Sequence, residues 1–193
     1  MAADTRTRML DTTAKLLQQR GYHGTSLNDI LGESGAPRGS LYFHFPGGKD
    51  QLVIEASRAA VDKVTKHRRD VLAAAATPAA AVRAFADGIV LLLEETDYQL
   101  GCPIAPIVLD GTSEVTDLSE LCRQTFEEWI GLLRDAFAKA GIAKQRAEAL
   151  ALLTQSSFEG ALLIARAYRD SSPVLTVAGE VEAMVAAATP RAA

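Results

Sequence analysis

Glycine and proline cut this chain into stretches whose apolar residues recur every three to four positions, and this punctuation constrains the fold more than any other feature. The first stretch carries Met9, Thr13, Leu16 and Leu17 on one helical face and stops at Gly21, which predicts a helix over 5–20. Thr25 or Ser26 can cap a second helix with Leu27, Ile30 and Leu31 at i, i+3 and i+4, ended by Gly35 after about two turns. Pro37 suits the first turn of a third helix over 37–44, which Pro46, Gly47 and Gly48 terminate. A long fourth helix over 49–76 carries Leu52, Val53, Ala56, Ala60 and Val64 and closes at Thr77 and Pro78, the strongest break in the chain. Further helices are predicted over 79–96, 104–109, 115–140, 143–169 and 173–188. Alternating β-branched runs bounded by turns are absent, so the expected fold class is all-α.

Composition narrows what such a chain can do. With 193 residues, 48% of them hydrophobic, it can bury one sizeable core or two small ones. No apolar run approaches the roughly 18 to 20 residues that span a bilayer, and Met1 to Arg8 is polar rather than a signal peptide. No membrane association is expected, and the cytoplasm is the expected compartment. Cys102 and Cys122 share no ligand-like spacing with the three histidines, so neither a disulfide scaffold, a metal nor another cofactor is expected. The net charge of −4 conceals an asymmetry: residues 1–69 hold 11 Lys plus Arg against 7 Asp plus Glu, and the remainder 9 against 17. A basic front and an acidic rest fit an N-terminal module that faces phosphates.

Two short helices joined by a Gly35 turn have the form of a helix-turn-helix that enters the major groove. In TSLNDILGESGAPRGSLYFHF (25–45), Leu27, Ile30 and Leu31 face the first helix, leaving Pro37, Arg38, Gly39, Ser40, Tyr42 and His44 for a DNA side. Gly39 and Ser40 are small enough for close backbone approach, and Arg38 has the donor fork that pairs with guanine N7 and O6. Ser40, Tyr42 and His44 can reach bases or phosphates, and Phe43 or Phe45 belongs to the core. Spacing alone is equally compatible with a helical protein-interaction module whose acidic C-terminal part is the binding surface. An enzyme has less support: GGK near Phe45 lacks the phosphate-loop spacing, and GESGA (32–36) misses the nucleophile-elbow pattern by one position.

The run RMLDTTAKLLQQRGYHGTSLNDILGESGAPRGSLYFHFPGGKDQL (8–52) resembles the DNA-binding domain of the TetR (tetracycline repressor) family. The resemblance rests on RGYHGTS at 20–26, the Gly35 turn and GSLYFHFPGGKDQL at 39–52. It implies phosphate contacts from Tyr42, from Lys49 at the start of the fourth helix, and from Thr25. GCPIAPIVLD (101–110) and SFEGALLIARAYRD (157–170) look like the subgroup typified by a lincomycin-resistance repressor. The implied protein is a repressor that binds palindromic operator double-stranded DNA and is released by a small apolar or aromatic effector. Its expected division is a DNA-binding domain over 1–50 and a ligand-binding and dimerisation domain over 51–193.

The resemblance further implies a homodimer through the last two long helices. Small residues at Ala147, Ala151, Gly160, Ala161 and Ala165, with Val177, Val181, Met184 and Val185, permit close approach there, with the internal core of one chain as the alternative place for them. Phe85, Ile89, Leu92, Phe126, Trp129, Leu133, Phe137 and Phe158 are spaced to line an apolar pocket, although each taken singly fits ordinary core packing better; Trp129 is the exception, expected to stack on a ligand and to need a partner for its indole N–H. Asp110, Gln155, Glu159 and Arg166 can be polar anchors in the pocket or salt-bridged surface groups, with the surface favoured, and KHRR (66–69) reads as a solvated helix face rather than a DNA arm.

Overall fold

Side-chain caps and left-handed glycines set the element boundaries of the computed structural model, which describes residues 4–111 and 115–190. Asp4 accepts a hydrogen bond from the Thr7 N–H at 2.7 Å and opens α1 (Thr5–Arg20), which Gly21 ends at φ 71°. Ser26 and Asp29 exchange side chain to backbone hydrogen bonds as a capping box at the start of α2 (Leu27–Ser34), and Gly35 closes it in the left-handed region. Pro37 precedes α3 (Arg38–His44). The chain continues through α4 (Gly48–Ala74), α5 (Pro78–Glu95), α6 (Ala105–Leu109), α7 (Thr116–Lys139), α8 (Lys144–Tyr168) and α9 (Ser172–Ala188). No strand occurs among the described residues, and each helix boundary lies within two residues of its sequence-based position.

The chain divides into two compact units that are not cut at residue 50. Met1–Lys63 with Cys102–Gln124 forms the first, and Val64–Gly101 with Thr125–Ala193 the second. The sequence suggested one cut because it cannot show that α6 packs on α1, which returns residues 102–124 to the N-terminal unit. One continuous helix, α4, contributes residues to both units. The first unit is held by Met9, Leu16, Ile30, Ala36, Leu41, Phe45 and Leu52, with Leu10, Leu27 and Leu31 packed against them. Cys102 and Cys122 are both buried, and burial pushes the Cys122 thiol up to about 11, which leaves almost no thiolate at neutral pH.

In the second unit α9 packs on α5 and α8. Ala147, Ala151, Ala161 and Ala165 of α8 are fully buried there, as are Val181 and Val185 of α9. These six were expected at a dimer interface, and their burial within the chain removes them from it. Gly160, where an added Cβ would meet nothing within 4 Å, lies on the outward face with Leu152, Leu163 and Ile164; Val177 and Met184 are half-buried. No helix among the described residues is long and apolar enough to cross a membrane.

Candidate nucleic-acid interface

Leu41, 1% exposed, anchors α3 to the core of the first unit, and Phe45 joins that core where the chain leaves the helix. At about 100° per residue, this anchoring turns Gly39 and Phe43 furthest outward, with Ser40 and Tyr42 on the flanks. Pro37, Arg38, Gly39 and Tyr42 are exposed; Ser40 and His44 are half-buried. Arg38 has no hydrogen-bond or ion-pair partner among the described residues, whereas Arg6, Arg20 and Lys63 pair with Glu55, Glu33 and Asp11 respectively. The two aromatic candidates for the core separate sharply: Phe45 is 0% exposed, with the Arg6 guanidinium 5.4 Å from its ring centroid, whereas Phe43 is 81% exposed.

Two of the phosphate contacts implied by resemblance look different in the structure. Thr25 is fully buried, its hydroxyl donates to the Gly21 carbonyl at 2.7 Å, and its N–H is directed to Tyr22 O. Both of its donors are committed inside the turn, so its side chain is not positioned to meet a phosphate. Lys49 is half-buried: its Nζ donates to the Tyr22 carbonyl at 3.0 Å and lies 4.1 Å from the Tyr22 ring centroid. Burial lowers its pKa below the ordinary lysine value, opposed by neighbouring Asp50. Tyr22 in turn donates from its hydroxyl to Asp50 at 2.6 Å, so Lys49 belongs to a small cluster that fixes the α1–α2 turn to the start of α4. Asp110, expected at the surface, is half-buried and accepts from the His23 N–H at 3.1 Å in the same turn.

The second unit contains the residues expected to line an effector pocket. Phe85, Trp129, Leu133, Phe137 and Phe158 are buried, and Ile89, Leu92 and Phe126 are half-buried. Trp129 meets its need for a partner internally: its indole N–H donates to Thr65 Oγ1 at 2.7 Å. The Arg68 guanidinium lies 4.3 Å from the Trp129 ring and 5.8 Å from that of Phe85, and Arg68 also donates to Gln155 Oε1 at 2.7 Å. Gln155, another residue expected at the surface, is 3% exposed and donates onward to Glu159 at 2.8 Å. The solvated-face reading of KHRR therefore holds for Lys66, His67 and Arg69 but not for Arg68, which turns inward. A crevice of about 320 Å³ beside the α4–α5 turn is lined by Leu72, Ala81 and Ala136 among others, and by none of the expected effector residues.

Residues 9–56 match the family described as bacterial regulatory proteins, tetR family, and residues 78–180 match the LmrA/YxaF-like transcriptional regulator C-terminal domain. The chain belongs to the TetR family. It is 32% identical over 174 residues to the HTH-type transcriptional regulator LmrA of Bacillus subtilis, an alignment covering 90% of this chain and 93% of the relative. A TetR transcriptional regulator from Chloroflexus aurantiacus superposes with a TM-score of 0.82 at 28% identity, covering 97% of each chain. A cysteine mutant of the TetR-family regulator CifR, solved with a 26-base-pair operator duplex, has the same fold, with a TM-score of 0.82 at 24% identity and 98% of each chain covered. As a TetR-family member the chain is a helix-turn-helix transcriptional regulator with two functional parts. Sequence reasoning missed Phe43 and Arg68 as residues of interest in those parts. Arg68 was legible in principle, since Val61, Thr65, Arg68 and Leu72 follow the four-three-four spacing of an inner helical stripe.

Proposed function

We propose that this TetR-family protein is a homodimeric repressor that binds palindromic operator DNA through α2 and α3 and releases it when a small apolar or aromatic effector enters the second unit. The observation that carries the reading is α3 itself, a short helix pinned by Leu41 and Phe45 that holds a partner-free Arg38 beside exposed Gly39 and Tyr42. Arg38 reads a guanine, Gly39 admits the groove edge, and Tyr42 and His44 hold phosphates. Lys49 keeps two of its three N–H groups for a phosphate beside Tyr22. A second copy docks on the outward face of α8 and α9, where Leu152, Gly160, Leu163, Ile164 and Leu175 are exposed. Such a dimer must place its two recognition helices about 34 to 36 Å apart, or a multiple of that.

Arg38→Ala is expected to relax preference at one base pair per half-site at a cost of about 1 to 3 kcal/mol, while Tyr42→Phe weakens operator and random duplex by equal factors. Gel shifts on the DNA upstream of its own gene, at several salt concentrations, check this. Equal losses on operator and random DNA for Arg38→Ala would remove it from base reading, and salt-insensitive binding would remove the phosphate contacts.

For the effector, α4 supplies a covalently continuous helix from residues of one unit to residues of the other. A ligand shifts the operator-competent arrangement only by its difference in affinity for the two states, so operator must weaken ligand binding by the same factor. Trp129 is the sole tryptophan, so its fluorescence isolates this region. An aromatic ligand that quenches it should bind about 5- to 150-fold less tightly when operator is present. A quenching ligand whose affinity ignores operator would show that this region is not the sensor.

A further inference from the structure

We infer that Phe43 is a thymine-reading residue, whose ring packs on the C5 methyl of a pyrimidine in the major groove; the inference rests on the operator-binding reading above and names what one base contact recognises. An exposed phenylalanine on a short helix needs a reason, because the ring could be buried at a gain and the neighbouring Phe45 is fully buried. Phe43 is instead 81% exposed, more than any other large hydrophobic residue among the described residues. Its angular position explains why: it lies nearly opposite Leu41 around α3, on the ridge furthest from the core.

The same ridge carries Gly39 one turn earlier, where an added Cβ would meet nothing within 4 Å. Helical side chains lean towards the N-terminus, so the Phe43 ring extends over the open surface that Gly39 leaves. The His44 ring packs edge-on against it with centroids 4.9 Å apart, which restricts where the ring can go. The outermost ridge of the recognition helix is therefore an apolar plate over a bare backbone, flanked by the polar Arg38, Ser40 and Tyr42.

What that plate can recognise follows from its atoms. Phe43 has no donor for a phosphate oxygen and no donor or acceptor for a base edge. Among the groups in the major groove, only the thymine C5 methyl is apolar, and aromatic contact with it is an established form of direct readout. 5-Methylcytosine presents a methyl at the same C5 position, so the class recognised is the 5-methylpyrimidine.

The test uses the full chain. A duplex is selected from a randomised pool by the protein, and each thymine is then replaced singly by uracil, which removes only the methyl. At one position per half-site, uracil should weaken wild-type binding about fourfold, or about fifteenfold when both half-sites are changed, as expected for one buried methyl each. Phe43→Ala should bind thymine and uracil duplexes equally at that position, and Phe43→Leu should retain part of the preference. The melting temperature of Phe43→Ala should match wild type, since the ring supports no core. The inference is overturned if no position shows a methyl preference that disappears in Phe43→Ala, or if Phe43→Ala weakens selected and random duplexes by the same factor. Failure of the pool to enrich any sequence would overturn the operator-binding reading as well, so the two failures are distinguishable.

Discussion

Gly21→Ala is expected to destabilise the N-terminal unit by about 2 to 4 kcal/mol, combining backbone strain with a steric conflict. Gly21 ends α1 at φ 71° and ψ −173°, a region of backbone space essentially restricted to glycine. An added Cβ would also sit 2.2 Å from Asp110 Oδ2, the oxygen that accepts the His23 N–H. Alanine must therefore strain the turn and expel a carboxylate from its hydrogen bond. The two contributions separate in a double-mutant cycle. Asp110→Ala alone should cost about 1 to 3 kcal/mol, and the pair should cost less than the sum because the conflict has been removed, leaving the backbone cost. Denaturant unfolding followed by circular dichroism, with hydrogen exchange of the α1–α2 amides, reads both the global and the local loss. Strict additivity would show that Asp110 does not fill the space beside Gly21.

The boundaries of the helices were legible in the sequence because the chemistry that sets them is local. Gly21, Gly35, Ser26 and the Thr77–Pro78 pair act on backbone groups within four residues of themselves. The outward face of α3 was legible for a similar reason, since Arg38, Gly39 and Tyr42 are the residues left when Leu41 goes inside. The choice between Phe43 and Phe45 was not, because Phe45 lies past the helix end, where φ −135° and ψ 78° swing it back to the core. The burial of Thr25 was not legible, because its hydroxyl reaches the carbonyl four residues earlier, a competitor that a motif does not display.

The interfaces of α8 were the least legible part. That helix has small residues on both sides: Ala147, Ala151, Ala161 and Ala165 on one, Ser156 and Gly160 on the other. Small residues permit close packing on either side, so the choice is made by where α5 and α9 lie, which is non-local information. Arg68 illustrates the opposite error. A run of four basic residues suggests solvent, yet a guanidinium can cover aromatic faces while hydrogen-bonding a buried amide, and the helical phase at that position points inward.

Trp129→Ala should cost about 3 to 5 kcal/mol of stability in the second unit, the range for removing a buried large aromatic. Trp129 is 1% exposed, meets Phe126 edge-on at 6.1 Å between centroids, and carries the Arg68 guanidinium over its ring. Removing it leaves a cavity, takes the donor from buried Thr65, and strips an aromatic face from a partly buried cation. Trp129→Phe keeps most of the volume and the ring face but not the N–H, so it should cost about 1 to 3 kcal/mol, and Thr65→Val in that background should recover part of the loss by removing the orphaned hydroxyl. Circular dichroism must follow unfolding, because the variants remove the only tryptophan. The magnitude also bears on sensing: an effector that stacks on the ring face covered by Arg68 must displace that guanidinium, so the lost contacts with Trp129 and Gln155 subtract from its affinity. If Trp129→Ala costs under about 1 kcal/mol while abolishing effector binding, the ring is a ligand wall rather than a core residue, and the tight internal packing assigned to it is wrong.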